Sequence, residues 1–175
     1  RCNTAAMKKQ IAQAKKAGCD LIIFPELSIP GYFIGDVWDQ PDFINDCVRF
    51  GKEIQAASDG ITIIYGNVAK EENRVNLDGR LRKYNAMFIA QNGQLIAPQH
   101  SPYPFYIKTL LPNYREFSDI RYFTSLMEVA QERHAFPEEF LSPVTLTFAN
   151  NRTLHIGPLI CEDSWDDNYP FKPMT

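Results

Sequence analysis

Three short apolar runs in this chain each stop at a side chain that can do chemistry. The run LIIF leads into Glu26, YI leads into Lys108, and LI leads into Cys161. The ends of strands and the loops that follow them are where α/β folds gather functional groups, because the sheet is rigid while the loops vary. We therefore predict that Glu26, Lys108 and Cys161 converge at one end of a sheet.

Helical and strand-like patterns alternate between these runs. The predicted elements, in chain order, are a helix from Asn3 or Thr4 to about residue 17, a strand at 21–24, a helix at 43–57, a strand at 61–66, hairpin strands at 84–90 and 94–97 around Asn92-Gly93, a helix at 124–134, and strands at 144–148 and 153–160. The continuous apolar run at 21–24 predicts a strand covered on both faces. The order as a whole predicts an α/β fold with a mixed sheet and helices on its outer surface.

Composition narrows the class of protein and its partners. The chain has 175 residues, 45% of them hydrophobic, which suffices for one buried core and predicts a single domain. A formal charge of −3 offers no cationic field for nucleic acid or an anionic membrane, and no apolar run is long enough to span a bilayer. Four dispersed cysteines without a CxxC pair indicate reduced thiols in a cytoplasmic protein, with Cys47 as a small buried hydrophobe.

A thiol nucleophile needs a base or a cationic neighbour, because free cysteine is mostly protonated at neutral pH. A Cys-His dyad could use His100, His134 or His155. The better motivated alternative makes Glu26 the general acid/base and Lys108 the cation near the thiolate and the oxyanion. Taken singly, Glu26 also fits an ordinary loop carboxylate, and Lys108 fits a solvated lysine.

Three ordered motifs, FPELSIPGY, KTLLPNYREFSDIRYF and ICEDSW, resemble the Glu-Lys-Cys signature of the nitrilase superfamily. The closer resemblance is to one branch, the glutaminase domains of glutamine-dependent NAD synthetases. It implies an α-β-β-α sandwich, incomplete at both ends here, that hydrolyses glutamine through a thioester. In that mechanism Glu26 is the base, Lys108 the oxyanion-stabilising cation and Cys161 the nucleophile.

The resemblance also implies a substrate pocket. Tyr32 and Tyr114 would line it, and Glu162 and Trp165 would shape it directly after the nucleophile. The branch has a second active-site glutamate before its Arg-Tyr-Phe run, where this chain reads Ser118-Asp119. Asp119 is the expected equivalent, and Glu116 is the competing candidate.

The resemblance implies that the protein has further parts beyond residues 1–175. We therefore expect residues 1–175 to be a piece of one domain, and to be poorly stable or inactive alone. Freed ammonia would pass to a fused synthetase domain that binds ATP and magnesium and amidates nicotinic acid adenine dinucleotide. Residues 1–175 themselves would need no metal or organic cofactor. A homo-oligomer is expected, and residues 124–143 are expected to be a surface insertion.

Two other functions remain open on the sequence. A stand-alone nitrilase-type amidase or carbamoylase would use the same Glu26, Lys108 and Cys161 on a small amide. A non-catalytic interaction domain would use the sandwich only for assembly, but such a domain has no need for a base, a cation and a thiol at three strand ends.

Overall fold

The structure is a computed structural model that describes residues 1–99, 101–149 and 151–166. Its helices are α1 (Cys2–Lys16), α2 (Pro41–Ala56), α3 (Asp119–Tyr122) and α4 (Leu126–Glu132). Its strands are β1 (Leu21–Ile23), β2 (Thr62–Val75), β3 (Leu81–Gln91), β4 (Gln94–Leu95), β5 (Tyr106–Ile107), β6 (Val144–Thr147) and β7 (Thr153–Ile156). Short 3₁₀ helices cover Gly35–Asp39, Pro137–Phe140 and Cys161–Ser164.

The strands form one mixed sheet of five strands and a separate hairpin. In the large sheet β1 runs parallel to β2, while β3 is antiparallel to β2, β4 and β5. The second sheet is the antiparallel pair of β6 and β7. The mixed sheet predicted from the sequence is therefore confirmed, and so is the tight turn at Asn92-Gly93, where both residues have positive φ and Gln91 pairs with Gln94.

The β2–β3 hairpin is longer than the sequence predicted. Residues 67–75 are largely polar and carry no strand signal of their own, yet they continue β2 because they pair with β3 down to Val75 opposite Leu81. A break in register separates Lys70 from Val75. Backbone pairing, and not side-chain apolarity, sets the length of this hairpin.

The expectation that the run at 21–24 is covered on both faces was wrong at Ile23. Its side chain is 64% exposed, while Phe24 is buried. In the described part of the chain β1 pairs on one side only, with β2. A continuous apolar run does not reveal that its strand lies at an edge, with part of one face open.

The large sheet separates two apolar clusters. On one side Met7 and Ile11 of α1 and Ile44 and Ile54 of α2 pack on the sheet, together with the buried Cys47. On the other side the sheet packs against residues of α4 and β6, listed as Leu126, Val129, Ala130, Val144 and Leu146. Helices, first sheet and second sheet thus follow in the order α-β-β, the order of three layers of an α-β-β-α sandwich.

Residues 124–143 are not the surface insertion that the sequence suggested. Leu126, Val129, Phe140 and Leu141 are all buried in the second cluster. Ser125 and Glu128 form a capping box that starts α4.

Within the described residues, no helix is both long and apolar enough to cross a membrane.

Candidate active site

Glu26 lies in a turn that packs directly on β2. The turn is fixed by backbone hydrogen bonds from Phe24 to the Ile64 carbonyl (2.8 Å) and from Gly66 to the Pro25 carbonyl (3.3 Å). A Cβ atom on Gly66 would lie 2.3 Å from the Leu27 nitrogen and 2.7 Å from the Glu26 Cα. Leu27 itself has a φ of +47°, which is uncommon for a residue with a side chain. Only glycine at position 66 therefore allows the turn to come this close.

Lys108 directly follows β5, and its backbone is held from two sides. Its N–H donates to the Asn85 carbonyl of β3 (2.9 Å), and its carbonyl accepts from the Leu126 N–H at the start of α4 (3.0 Å). The residue is completely buried. A buried ammonium requires charged or polar partners, so the surroundings of Lys108 decide what it can do.

Two carboxylates flank the Lys108 ammonium. Its Nζ lies 2.6 Å from Glu26 Oε1 and 3.0 Å from Asp119 Oδ2. Burial alone would lower the pKa of Lys108, but the charges of Glu26 and Asp119 and their hydrogen bonds outweigh it, so the pKa is raised. Lys108 is therefore a charged group at neutral pH, and the solvated lysine that its sequence position also allowed is not observed.

Tyr32 joins this cluster through Asp119. Its hydroxyl donates to both oxygens of the Asp119 carboxylate, at 2.9 and 2.8 Å. Burial, followed by the charges of Glu26 and Asp119, raises the pKa of Tyr32, so the hydroxyl keeps its proton. Asp119 is buried, whereas the competing Glu116 is exposed. The structure thus brings Asp119, and not Glu116, to Lys108.

Sequence reasoning missed Asn85, which orients Glu26. The Asn85 side-chain N–H donates to Glu26 Oε1 at 2.7 Å, and the residue is buried on β3. Its position opposite Val68 in the β2–β3 register sets where it points. The only signal in the sequence was a polar residue inside an otherwise apolar strand pattern.

Cys161 begins a single 3₁₀ turn, Cys161–Ser164, beside this cluster. Burial and then the charge of Glu26 raise the pKa of the thiol, and the Lys108 charge opposes this. The thiol is therefore protonated at rest, and the Glu26 carboxylate near it can accept its proton. Cys161 has a φ of +49°, a strained conformation of the kind found at functional sites.

The predicted last strand does not reach Cys161. Strand β7 ends at Ile156 and not at Ile160, because only Thr153–Ile156 pairs with β6. Instead the buried side chain of Asp163, which sequence reasoning also missed, accepts hydrogen bonds from the backbone N–H groups of Ile160, Thr109 and Leu110. Burial raises the pKa of Asp163 to about 6, although these hydrogen bonds and Lys108 act to lower it.

The remaining predicted pocket residues lie at the open side of the site. Tyr114 is half exposed and donates to Glu162 Oε2 at 2.8 Å, and Trp165 is exposed. Phe33 and Phe117 extend this rim, with ring centroids 5.8 Å apart. The rim is therefore aromatic, apart from the Glu162 carboxylate.

The histidines have other surroundings. His155 lies 2.9 Å from the Thr145 hydroxyl on β6, and His134 is exposed just beyond the end of α4. His100 lies outside the described residues. Among those that are described, no group of three or more histidine, cysteine or acidic side chains is arranged to hold a metal ion.

A model of the carbon-nitrogen hydrolase family matches residues 3–174. The chain belongs to the carbon-nitrogen hydrolase family. This carbon-nitrogen hydrolase is 29% identical over 166 residues to a glutamine-dependent NAD(+) synthetase of Acinetobacter baylyi, a match that covers 95% of the chain and 25% of the relative. It is 30% identical over 113 residues to an aliphatic nitrilase of Rhodococcus rhodochrous, covering 56% of the chain and 28% of that protein.

Solved structures of a synthetase and an amidase are also similar to this chain. A glutamine-dependent NAD+ synthetase from Acinetobacter baumannii, in complex with ADP, superposes with a TM-score of 0.66 at 27% identity, covering 98% of this chain and 27% of that one. An amidase from Nesterenkonia sp. shares the fold, with a TM-score of 0.65 at 17% identity over 95% of this chain and 52% of the amidase. This carbon-nitrogen hydrolase therefore spans about a quarter of the length of the synthetases it matches.

Proposed function

We propose that this chain hydrolyses the side-chain amide of glutamine through a thioester on Cys161, and that the ammonia released serves NAD synthesis. The observation that carries the proposal is the buried Lys108 ammonium held between Glu26 and Asp119, with the turn that begins at Cys161 nearby. The relatives that match the chain over most of its length, named glutamine-dependent NAD(+) synthetases, support glutamine as the substrate.

In the first step Glu26 takes the thiol proton as Cys161 Sγ attacks the amide carbon. The resting thiol is protonated, so the carboxylate beside it must act as the base. The tetrahedral intermediate then collapses, its C–N bond breaks, and Glu26 returns the proton to the leaving ammonia. Water, activated by the same carboxylate, attacks the thioester, and glutamate and the free thiol are released.

Lys108 stabilises the oxyanion of each tetrahedral intermediate. An ammonium has three N–H donors, and two of them point to Glu26 and Asp119. Among the described residues, its further acceptor is the Tyr32 oxygen at 3.5 Å, the outer limit of a hydrogen bond, so this third donor is available to the substrate. Glu26 and Asp119 fix the ammonium beforehand, which is what electrostatic stabilisation of a transition state requires.

The substrate pocket would be built on the aromatic rim. We assign substrate contacts to Tyr32, Tyr114, Glu162 and Trp165, with Asp119 in the place of the family's second acid. The Glu162 carboxylate, held by the Tyr114 hydroxyl, gives the rim a negative charge that suits the ammonium group of an amino acid.

The ammonia would be consumed outside residues 1–175. The synthetases that the chain matches are about four times as long, which supports a further synthetase domain in the same protein. That domain would bind ATP and magnesium, activate nicotinic acid adenine dinucleotide and amidate it to NAD. We further propose a homo-oligomeric, cytoplasmic enzyme, in keeping with the unpaired cysteines.

Covalent trapping tests the proposal. The complete protein is treated with a glutamine-mimicking diazo ketone, and the labelled peptide is identified by mass spectrometry. A single adduct on Cys161 that excess glutamine prevents is the expected result, with Cys161→Ala as the unlabelled control. Labelling of other cysteines, or no protection by glutamine, would contradict it.

A second candidate is a stand-alone hydrolase of a small amide or nitrile. The similarity to an aliphatic nitrilase and to a shorter amidase favours it, since half of that amidase is covered by this chain. The two candidate functions predict different substrates, so turnover assays distinguish them. Turnover of aliphatic amides with no turnover of glutamine would select the second.

A further inference from the structure

One buried carboxylate connects the two segments that carry the nucleophile and the cation. Asp163 Oδ1 accepts from the Leu110 N–H at 2.8 Å, and Oδ2 accepts from the N–H groups of Thr109 and Ile160, both at 3.3 Å. Thr109 and Leu110 directly follow Lys108, and Ile160 directly precedes Cys161. Only 2% of Asp163 is exposed, so water does not compete for these contacts.

The sheets do not make this connection themselves. Lys108 is tied to β3 and α4 by its own backbone hydrogen bonds. On the other side, β7 ends at Ile156, and in the described part of the chain residues 157–160 have no strand partner. The Asp163 side chain links this stretch to the segment after Lys108.

The contacts suit a carboxylate. Three N–H donors converge on two oxygens, and a carboxylate presents lone pairs only. An asparagine would turn its NH₂ group toward at least one of these N–H groups, and a glutamate would need space for another methylene in a buried site. Both replacements therefore disturb the contacts, but only asparagine removes the charge.

We propose that Asp163 is a positioning residue that holds the Cys161 turn beside Glu26 and Lys108. It acts through the backbone on both sides of the site and does not touch the substrate. The proposal deepens the proposed function, on which its kinetic part rests, because the reaction requires the thiol to lie within reach of the base. A displacement of about 1 Å at reacting atoms lowers rates on the order of 10²-fold.

The test compares Asp163→Asn and Asp163→Glu with the wild type in the complete protein. Glutaminase kcat is divided by the fraction of Cys161 that reacts with the diazo ketone. Unfolded protein is thereby excluded from the enzyme concentration. Asp39→Asn is the matched control, because it breaks the partly buried ion pair with Lys83 (3.1 Å), which is not part of the site. A second readout, independent of glutamine, is the pH dependence of Cys161 alkylation by iodoacetamide, measured on the Cys161 peptide.

Both Asp163 variants are expected to lose about 10²-fold in kcat per reactive thiol with little change in KM. In both, the alkylation midpoint of Cys161 should move toward about 8.5, the value of a free thiol. Asp39→Asn should lower only the Tm. The proposal is overturned if the Asp163 variants resemble Asp39→Asn, or if Asp163→Glu retains the wild-type kcat and midpoint. If the wild type does not hydrolyse glutamine while the midpoints still move, the proposed function fails and the positioning role stands.

Discussion

The two halves of the candidate site are held in different ways. Glu26, Lys108 and Asp119 are linked by ion pairs beside the five-stranded sheet, and Lys108 is completely buried. Cys161 is exposed, sits in one 3₁₀ turn after an unpaired stretch, and is connected through Asp163. The proposed base and cation are thus part of the folded core, whereas the proposed nucleophile is attached to it. Changes in the first half should damage stability and activity together, and changes in the second mainly activity.

The largest effect should come from Cys161→Ala. It removes the nucleophile and should abolish glutamine-dependent NAD synthesis, while synthesis from added ammonia continues. Because the side chain lies at the open side of the site, the free energy of unfolding should change by less than about 0.5 kcal/mol. Both activities are measured on the complete protein, and an equal loss of both would contradict the separation of ammonia production from its use.

Lys108→Met tests the core half. It should lower kcat by about 10²–10⁴-fold, because the oxyanion donor is lost. It should also destabilise the domain by about 3–5 kcal/mol, because Glu26 and Asp119 are left buried without their cation. Hydrogen exchange of the β2 and β3 amides reports this stability. Unchanged protection would show that the ion pairs do not support the core.

Gly66→Ala tests whether the Glu26 turn needs its close approach to β2. The added methyl group meets backbone atoms, which cannot rotate away, so the turn must move. The expected result is a destabilisation of about 1–3 kcal/mol. We also expect a fall in kcat on the order of 10²-fold, because Glu26 is displaced from Cys161. Gly157→Ala is the control, since a Cβ there meets nothing within 4 Å.

The pH dependence of stability tests the link to the nucleophile half. The pKa of Asp163 is raised from 3.8 to about 6, so the folded state holds this proton where the unfolded state has lost it. Stability from this group is therefore present below about pH 4 and is lost as the pH rises to 6, by about 3 kcal/mol. The free energy of unfolding in urea, measured for the wild type and Asp163→Asn between pH 4 and 7, isolates the contribution of Asp163. Parallel curves would mean that Asp163 titrates normally.

Tyr114→Phe should have the smallest effect. The hydroxyl donates to Glu162 in a half-exposed position, where water competes for the hydrogen bond and keeps its net contribution small. We expect up to about a fivefold rise in KM for glutamine with kcat unchanged. A large fall in kcat would show that Tyr114 takes part in catalysis and does not only line the rim.

The sequence predicted the core half of the site better than the nucleophile half. Glu26 and Lys108 follow short strands, and strand ends in one sheet lie close together, so their meeting follows from the pattern. The predicted strand up to Cys161 was wrong. Apolar residues recur as far as Ile160, but the pairing of β7 with β6 stops at Ile156. The roles of Asn85 and Asp163 could not be found, because Asn85 contacts Glu26, and Asp163 contacts the backbone after Lys108, which lies far away in the chain.

The hydrogen bond from the Leu126 N–H to the Lys108 carbonyl has a consequence for mutational screening. It couples the first turn of α4 to the position of the ammonium, although α4 carries none of the motifs. Substitutions that fray this turn, such as loss of the Ser125 cap, would score as inactive in a screen for turnover. A map of intolerant positions would then extend well beyond the residues that touch a substrate, and α4 would be mistaken for part of the pocket.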